Sequence, residues 1–302
     1  LQEILKRIPP ARIGWSATTG CSGPLAAELL LTTQVNEVIA QAQATAVLHP
    51  EVRTIIEIGG QDSKLIFLAE DAHSRALVVS DFAMNTICAA GTGSFLDQQA
   101  HRLGVTIEEF AELALKSKAP PRLAGRCSVF AKSDMIHLQQ KATPVHDIVA
   151  GLCFAMARNF KSTVGSAKTL LPPISFQGGV TANKAIVHAF EGVLEIPAGT
   201  LIIPEHFAAM GAIGAAWLVM DAAPASQFAG LTKLTEIAST GPALQENANL
   251  EPLSGPSRVT YRKSEVVEAK TLAGKGRIPA YLGVDVGSIS TNVVVLDEQK
   301  RV

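Results

Sequence analysis

The chain has 302 residues, 47% apolar and 18% charged, enough for two compact domains or two lobes of one larger fold. With 26 Lys and Arg against 27 Asp and Glu, the formal net charge of -1 leaves no electrostatic footprint for nucleic acid or an anionic membrane. Four cysteines are too few for a disulfide scaffold, the longest apolar stretch (207–220) is short of the ~20 residues a membrane span needs, and no signal peptide opens the chain; a cytoplasmic protein with reduced thiols is expected.

Residues 1–50 read as a helix, a short strand at 11–16, a Gly/Ser/Thr turn and a long helix through 34–48. From Thr54 the pattern is strand, Gly-Gly turn, strand, with a third strand at 76–81 after a polar break: a β-meander interrupted by a glycine loop. Helices are expected at 91–103, 106–116, 129–141 and 145–164, the second opening with the capping-box pair Thr106 and Glu109. An apolar strand at 174–176 runs into Gly178-Gly179. A helix at 184–191, a strand at 200–203 and an apolar helix at 208–220 follow. Residues 223–280 are rich in Ala, Ser, Pro, Gly and basic side chains and read as a linker or peripheral segment. The run YLGVDVGSISTNVVVLD (281–297) is a strand, a Gly/Ser turn and a strand. The expected organisation is therefore 1–222, 223–280 and 281–302.

Four glycine turns share a design: Gly59-Gly60-Gln61-Asp62 between strands, Gly91-Thr92-Gly93 opening a helix, Gly178-Gly179-Val180 after a strand, and the 283–290 turn with Gly287 and Ser288. Glycine lets backbone N–H groups close on phosphate oxygens, and a helix N-terminus adds a favourable dipole. Asp62 and Asp285 stand beside such turns, where a phosphate-bound Mg²⁺ finds carboxylate help. There is no GxxxxGK[ST], and no G-x-G-x-x-G stands between a strand and a helix, so P-loop and dinucleotide-binding readings are poor.

The runs EIGGQDSK (57–64), NTICAAGTGSFLD (85–97), CSVFAKSDMI (127–136) and FQGGVTANKA (176–185) resemble the BadF/BadG/BcrA/BcrD ATPase family of 2-hydroxyacyl-CoA dehydratase activators and benzoyl-CoA reductase ATPase subunits. The resemblance covers roughly residues 10–222. It implies an α/β, actin-like (ribonuclease H-like) ATPase fold with mixed sheets flanked by helices in two lobes, and ATP or ADP bound between them. By the same likeness Gly59, Gly60, Gln61 and Asp62 match the second phosphate loop, and Gly178, Gly179 and Val180 the adenosine loop. Gly91 and Gly93 follow the first cluster cysteine, and Cys88 and Cys127 match the two ligands of a [4Fe-4S] cluster shared in a homodimer. Gln61 or Asp62 is expected to position the hydrolytic water. The family's first phosphate loop precedes everything else; here such an element occurs only around Asp285, Gly287 and Ser288. The favoured expectation is a fragment of a longer protein with tandem modules, and the other is circular permutation.

Cys88 and Cys127 are 39 positions apart, which excludes a local C-x-x-C clamp, a zinc knuckle or a ferredoxin run. Each lies just ahead of an expected helix, whose N-terminus favours a thiolate and an anionic cluster. A cubane takes four thiolates, so two per subunit implies sharing across a two-fold axis or between tandem modules. Cys21 and Cys153 are expected to be structural, and Lys132 and Asp134 to lie on a solvated helix face. The resemblance thus implies an ATP-dependent one-electron activator with Mg²⁺, an acyl-CoA dehydratase or reductase partner, and a donor such as ferredoxin or flavodoxin. Two rivals are a small-molecule kinase of the same fold without a cluster, where Asp62 would be the base, and a non-catalytic nucleotide-binding interaction module.

Overall fold

Continuous apolar runs in strands form where both faces of a sheet are covered, and Thr54–Ile58 is buried at every position. In a computed structural model, residues 5–6, 13, 16–85, 88–125, 127–220, 228, 230–233 and 235–236 are described, with the backbone of 281–286 and 291–296. The chain divides into two units, Leu1–Ala243 and Leu244–Val302.

In the first unit, β1 (Ala17–Thr18) pairs in parallel with β2 (Thr33–Gln34) around α1 (Gly23–Leu30). The helix α2 (Glu37–Leu48) follows, capped by the Asn36 side chain, which accepts from the amides of Val38 and Ile39. The long helix expected at 34–48 therefore starts at Glu37, because Gln34 is held in a strand; α1 lay hidden in what read as a turn. Most of the strand expected at 11–16 falls outside the described residues.

The main sheet is β5 (Leu77–Asn85), β4 (Ser63–Glu70), β3 (Thr54–Ile58) and β6 (Ile174–Gln177) in that order. The β3–β4–β5 meander is antiparallel, and β6 joins β3 in parallel. Residues alternate between faces, so Ile56 and Ile58 enter the larger core and Ile55 the smaller one with Val38 and Val52. The strand expected at 200–203 contributes one bridge, Ser175 to Ile202.

The larger core is built on α6 (Val145–Ser162), with α3 (Gly93–Leu103), α4 (Ile107–Ala114), α5 (Ser128–Gln140) and α7 (Lys184–Leu194) around it. Phe190 packs against Phe160 and Phe176, with ring centroids 5.3 and 4.9 Å away. The capping box of α4 forms as the sequence implies: the Thr106 hydroxyl accepts from the Glu109 amide, and the Glu109 carboxylate from the Thr106 amide. Helix α8 (Met210–Met220) crosses α2 so closely that a Cβ on Gly214 would stand 1.8 Å from the Ala40 carbonyl oxygen. Neither α8 nor any other described helix is long and apolar enough to cross a membrane. In the second unit, β7 (Tyr281–Val286) and β8 (Thr291–Leu296) pair antiparallel, the two strands read from the sequence; the turn between them lies outside the described residues.

Candidate functional site

Three of the glycine turns meet at one place. The Gly59 amide donates to the Asp62 carbonyl at 3.0 Å, closing the β3–β4 hairpin. The outward carbonyls of Gly59 and Gly60 accept from the first amides of α3, Gly93 at 2.9 Å and Ser94 at 2.8 Å. A Cβ on Gly93 would lie 3.1 Å from Val180, 3.2 Å from the Gly59 oxygen and 3.3 Å from the Gly60 Cα, so glycine is what lets the turns touch. Gly178 has φ +93°, and a Cβ there would lie 2.3 Å from the Ile58 carbonyl oxygen.

A cleft of about 390 Å³ opens between these turns, lined by Gly60, Gly93, Asp97, Gly179, Val180 and Asn183 among others. A Cβ at Gly60 or Gly179 would meet nothing within 4 Å, so both backbones face open space. The Asn183 Oδ1 caps α7, while its buried Nδ2 has no partner among the described residues. The cleft thus offers bare backbone, a helix N-terminus and an unused amide donor, a fit for a phosphorylated nucleotide.

Below the hairpin lies a buried ionic cluster. The strand register sets Glu57 directly opposite Lys64. The Lys64 ammonium, 0% exposed, donates to Asp62 Oδ1 at 2.7 Å, Glu57 Oε2 at 2.9 Å and Glu37 Oε1 at 2.9 Å. The Cys21 thiol donates to the other oxygen of Asp62 at 3.3 Å. Three carboxylates face one ammonium. Burial pushes Glu57 up to about 7, the nearby Asp62 and Glu37 charges adding to it against Lys64. The carboxylates hold the Lys64 ammonium well above the ordinary lysine range despite its burial. The hydrogen bond to Asp62 raises the Cys21 thiol, with the Asp62 charge second. Cys21, Glu37 and Asp62 place ligand atoms within 4.8 Å of one another, the carboxylate oxygens suiting a nucleotide-borne Mg²⁺.

Cys21, expected to be structural, is exposed and bonded to Asp62. Cys153 is buried in the core of α6, and burial pushes its thiol up to about 12. Gln61 is exposed on the hairpin turn, whereas Asp62 is buried with both oxygens engaged. Glu37, Lys64 and Cys21 went unrecognised because their meeting depends on sheet register. The unusual Lys one residue past Gln-Asp-Ser, leading the apolar run 65–69, was the signal available.

Cys88 and Cys127 are free, half-buried thiols. Cys88 follows β5 and is held at both ends by Asn85, whose Oδ1 accepts its amide at 3.0 Å and whose Nδ2 donates to its carbonyl at 2.8 Å. It is the N-cap of the 3₁₀ turn Ala89–Gly91, and Cys127 is the N-cap of α5; neither terminus has a side-chain cap. Two thiols with no hydrogen bond among the described residues, at helical N-termini without side-chain caps, fit an anionic iron–sulfur group. Gly91 is packed so that a Cβ would lie 2.7 Å from Asn159 Oδ1. Asp134 departs from the solvated face expected: its carboxylate accepts from the Ala124 amide at 2.7 Å. Asp285 lies on β7, while Gly287 and Ser288 lie outside the described residues.

Residues 11–218 match the model of the BadF/BadG/BcrA/BcrD ATPase family. The 2-hydroxyisocaproyl-CoA dehydratase activator of Clostridioides difficile is 36% identical over 64% of this chain and 70% of its own length. The (R)-2-hydroxyglutaryl-CoA dehydratase activating ATPase of Acidaminococcus fermentans is 34% identical over 59% of this chain and 66% of its own length. The chain therefore spans about two thirds of these relatives. The structure is similar to that of an activator of the 2-hydroxyisocaproyl-CoA dehydratase from Clostridium difficile with bound ADPNP, with TM-score 0.65 and 30% identity over 74% of this chain and 80% of that one. The shared architecture is the actin-like α/β ATPase fold.

Proposed function

The chain belongs to the BadF/BadG/BcrA/BcrD ATPase family, and from that premise we propose that it is an ATP-dependent one-electron activator of a 2-hydroxyacyl-CoA dehydratase or a related CoA-substrate reductase. The observation that carries this reading is the short path from nucleotide cleft to cysteine. Cys88 heads the turn Ala89–Gly91, and two residues on the Gly93 amide is bonded to the Gly59 carbonyl of the hairpin. A displacement of the hairpin is transmitted to Cys88 through the backbone from Cys88 to Gly93, tied down at both ends.

In this reading the backbones of Gly59, Gly60, Gly178 and Gly179 hold the nucleotide, with Val180 and Asn183 on its wall. ATP supplies the free energy of phosphoryl transfer, and Asp62 and Glu37 would be the carboxylates available to a Mg²⁺ carried with it. Gln61, exposed on the turn, orients water, and Asp62 is held rigid by Lys64 and Cys21. Cys88 and Cys127 hold half of a [4Fe-4S] cluster, which when bound supplies a one-electron carrier; a second subunit or tandem module supplies the other two thiolates. Ferredoxin or flavodoxin serves as donor, and the dehydratase or reductase component accepts. The kinase alternative needs Asp62 as a free base, whereas both its oxygens are hydrogen-bonded.

Anaerobic purification tests this directly. The protein is expected to be brown, with a cubane signal by electron paramagnetic resonance after reduction. Cys88→Ala and Cys127→Ala are each expected to lose colour and iron while still binding ATP. An iron-free protein that gives full ATP-dependent activation of its partner would sink the proposal.

A further inference from the structure

The loop 121–125 lies directly on the backbone of α6. A Cβ on Gly151 would stand 2.4 Å from Leu123 Cδ1 and 2.5 Å from the Pro121 carbonyl oxygen, and one on Gly125 2.6 Å from the Ala155 carbonyl oxygen. Asp134 holds the loop by the Ala124 amide at 2.7 Å, and Arg158 Nη2 by the Leu123 carbonyl at 3.0 Å. The loop is thus built in, and it carries Arg122 up to Arg158. Burial, then the Arg122 charge, lowers the Arg158 pKa from the ordinary arginine range.

Among the described residues neither guanidinium has a carboxylate partner. Lys161 beside them is paired, with Glu195 at 3.1 Å. Arg122, Arg158 and Lys161 line a cavity of about 580 Å³ together with Cys127, Phe130 and Ser162. At Cys127 the 13-residue helix α5 begins, with no acidic residue in its first turn and no side-chain cap. Two like charges brought together without a counter-ion are unfavourable unless an anion joins them. The cavity shares no lining residue with the nucleotide cleft.

We propose that Arg122 and Arg158 form a phosphate-monoester site beside Cys127, separate from the nucleotide cleft. Two guanidinium forks and a helix N-terminus offer donors from several directions, which suits a tetrahedral dianion better than a planar carboxylate. The apolar wall of Leu123, Ala124 and Phe130, a residue 58% exposed, leaves room for a nucleoside behind the phosphate. Free phosphate and a nucleotide-borne 3′-phosphate share this chemistry. Cys127, assigned above to the cluster, lines this cavity too, so the site adjoins the cluster position, and its test reads the two arginines rather than iron or colour.

The test follows the side-chain Nε–Hε resonances of Arg122 and Arg158 in the full chain during titration with inorganic phosphate, adenosine 3′,5′-bisphosphate and malonate. Both resonances are expected to move saturably with the two phosphates. In Arg122→Gln, an exposed position, affinity is expected to fall roughly tenfold, as for loss of one charge-assisted hydrogen bond. Arg158→Gln is expected to do at least the same, and its folding is checked by circular dichroism. Tighter binding of the bisphosphate supports a nucleotide source, and equal binding supports the free ion. Resonances that stay still, affinity unchanged in Arg122→Gln, or a stronger response to malonate than to phosphate overturns the assignment.

Discussion

Lys64 is the only described cation in contact with Glu57, Asp62 and Glu37, and all of its hydrogen-bonding capacity is used there. Replacing it with Met leaves three carboxylates facing one another in a buried site, and removing one partner of a buried ion pair costs about 3–5 kcal/mol. Urea unfolding of Lys64→Met is expected to show a loss of that order, partly recovered by adding Glu57→Gln, which removes one of the orphaned charges. Glu57 also sets a pH dependence. Its folded-state pKa of about 7 lies above the ordinary 4.5, so the folded chain binds this proton more tightly than the unfolded one. Its contribution is full below the ordinary value and is lost as pH rises through about 7, with a slope of at most roughly 1.4 kcal/mol per pH unit. Glu57→Gln is expected to flatten the fall in stability between those limits in denaturant melts taken across pH. The raised Lys64 acts with the same sign at higher pH: its stabilisation holds below the ordinary lysine range and is lost only as pH rises beyond it.

Among the elements, the turn after β6 places the tightest demand on the chain. Gly178→Ala meets both a positive φ and a Cβ position 2.3 Å from the Ile58 oxygen, so β3 and the turn must separate. Strain alone at such a residue costs about 1–3 kcal/mol, and the separation opens the nucleotide cleft. The melting temperature is expected to fall and adenine-nucleotide affinity to drop at least tenfold by calorimetry. Gly104→Ala is the control: its φ is +70° at the end of α3, yet a Cβ there meets nothing within 4 Å. It is expected to lower stability without changing nucleotide affinity. The capping box of α4 was readable from Thr106 and Glu109 because both partners lie within one turn. The start of α2 was not, since Gln34 is drawn into β2 by pairing with Thr18.

For the molecule entire, a ligand that binds only the folded state stabilises it by mass action. ADP or ATP with Mg²⁺ at about 100 times its dissociation constant is expected to add about 2.7 kcal/mol, read as a rise in melting temperature. The absence of any shift in the wild-type chain would count against the cleft as a nucleotide site. The three glycine turns of the site, the β-meander, the helices α3 to α8 and the helix-leading cysteines were legible before the structure, because each depends on residues a few positions apart. Turn chemistry, capping and strand alternation are local. The joining of Gly59 to Gly93, of Cys21 to Asp62 across 41 positions, and of Arg158 to Leu123 across 35 was not. Those contacts depend on which strands pair, in what register, and on how closely α6 lets a loop approach. A one-residue slip of β4 against β3 would turn Lys64 away from Glu57, although no local preference along the chain would change. The residue types for phosphate and thiolate chemistry are therefore set by the order of amino acids. Which oxygen holds which ammonium, and which arginines lack a carboxylate partner among the described residues, follow only from long-range packing.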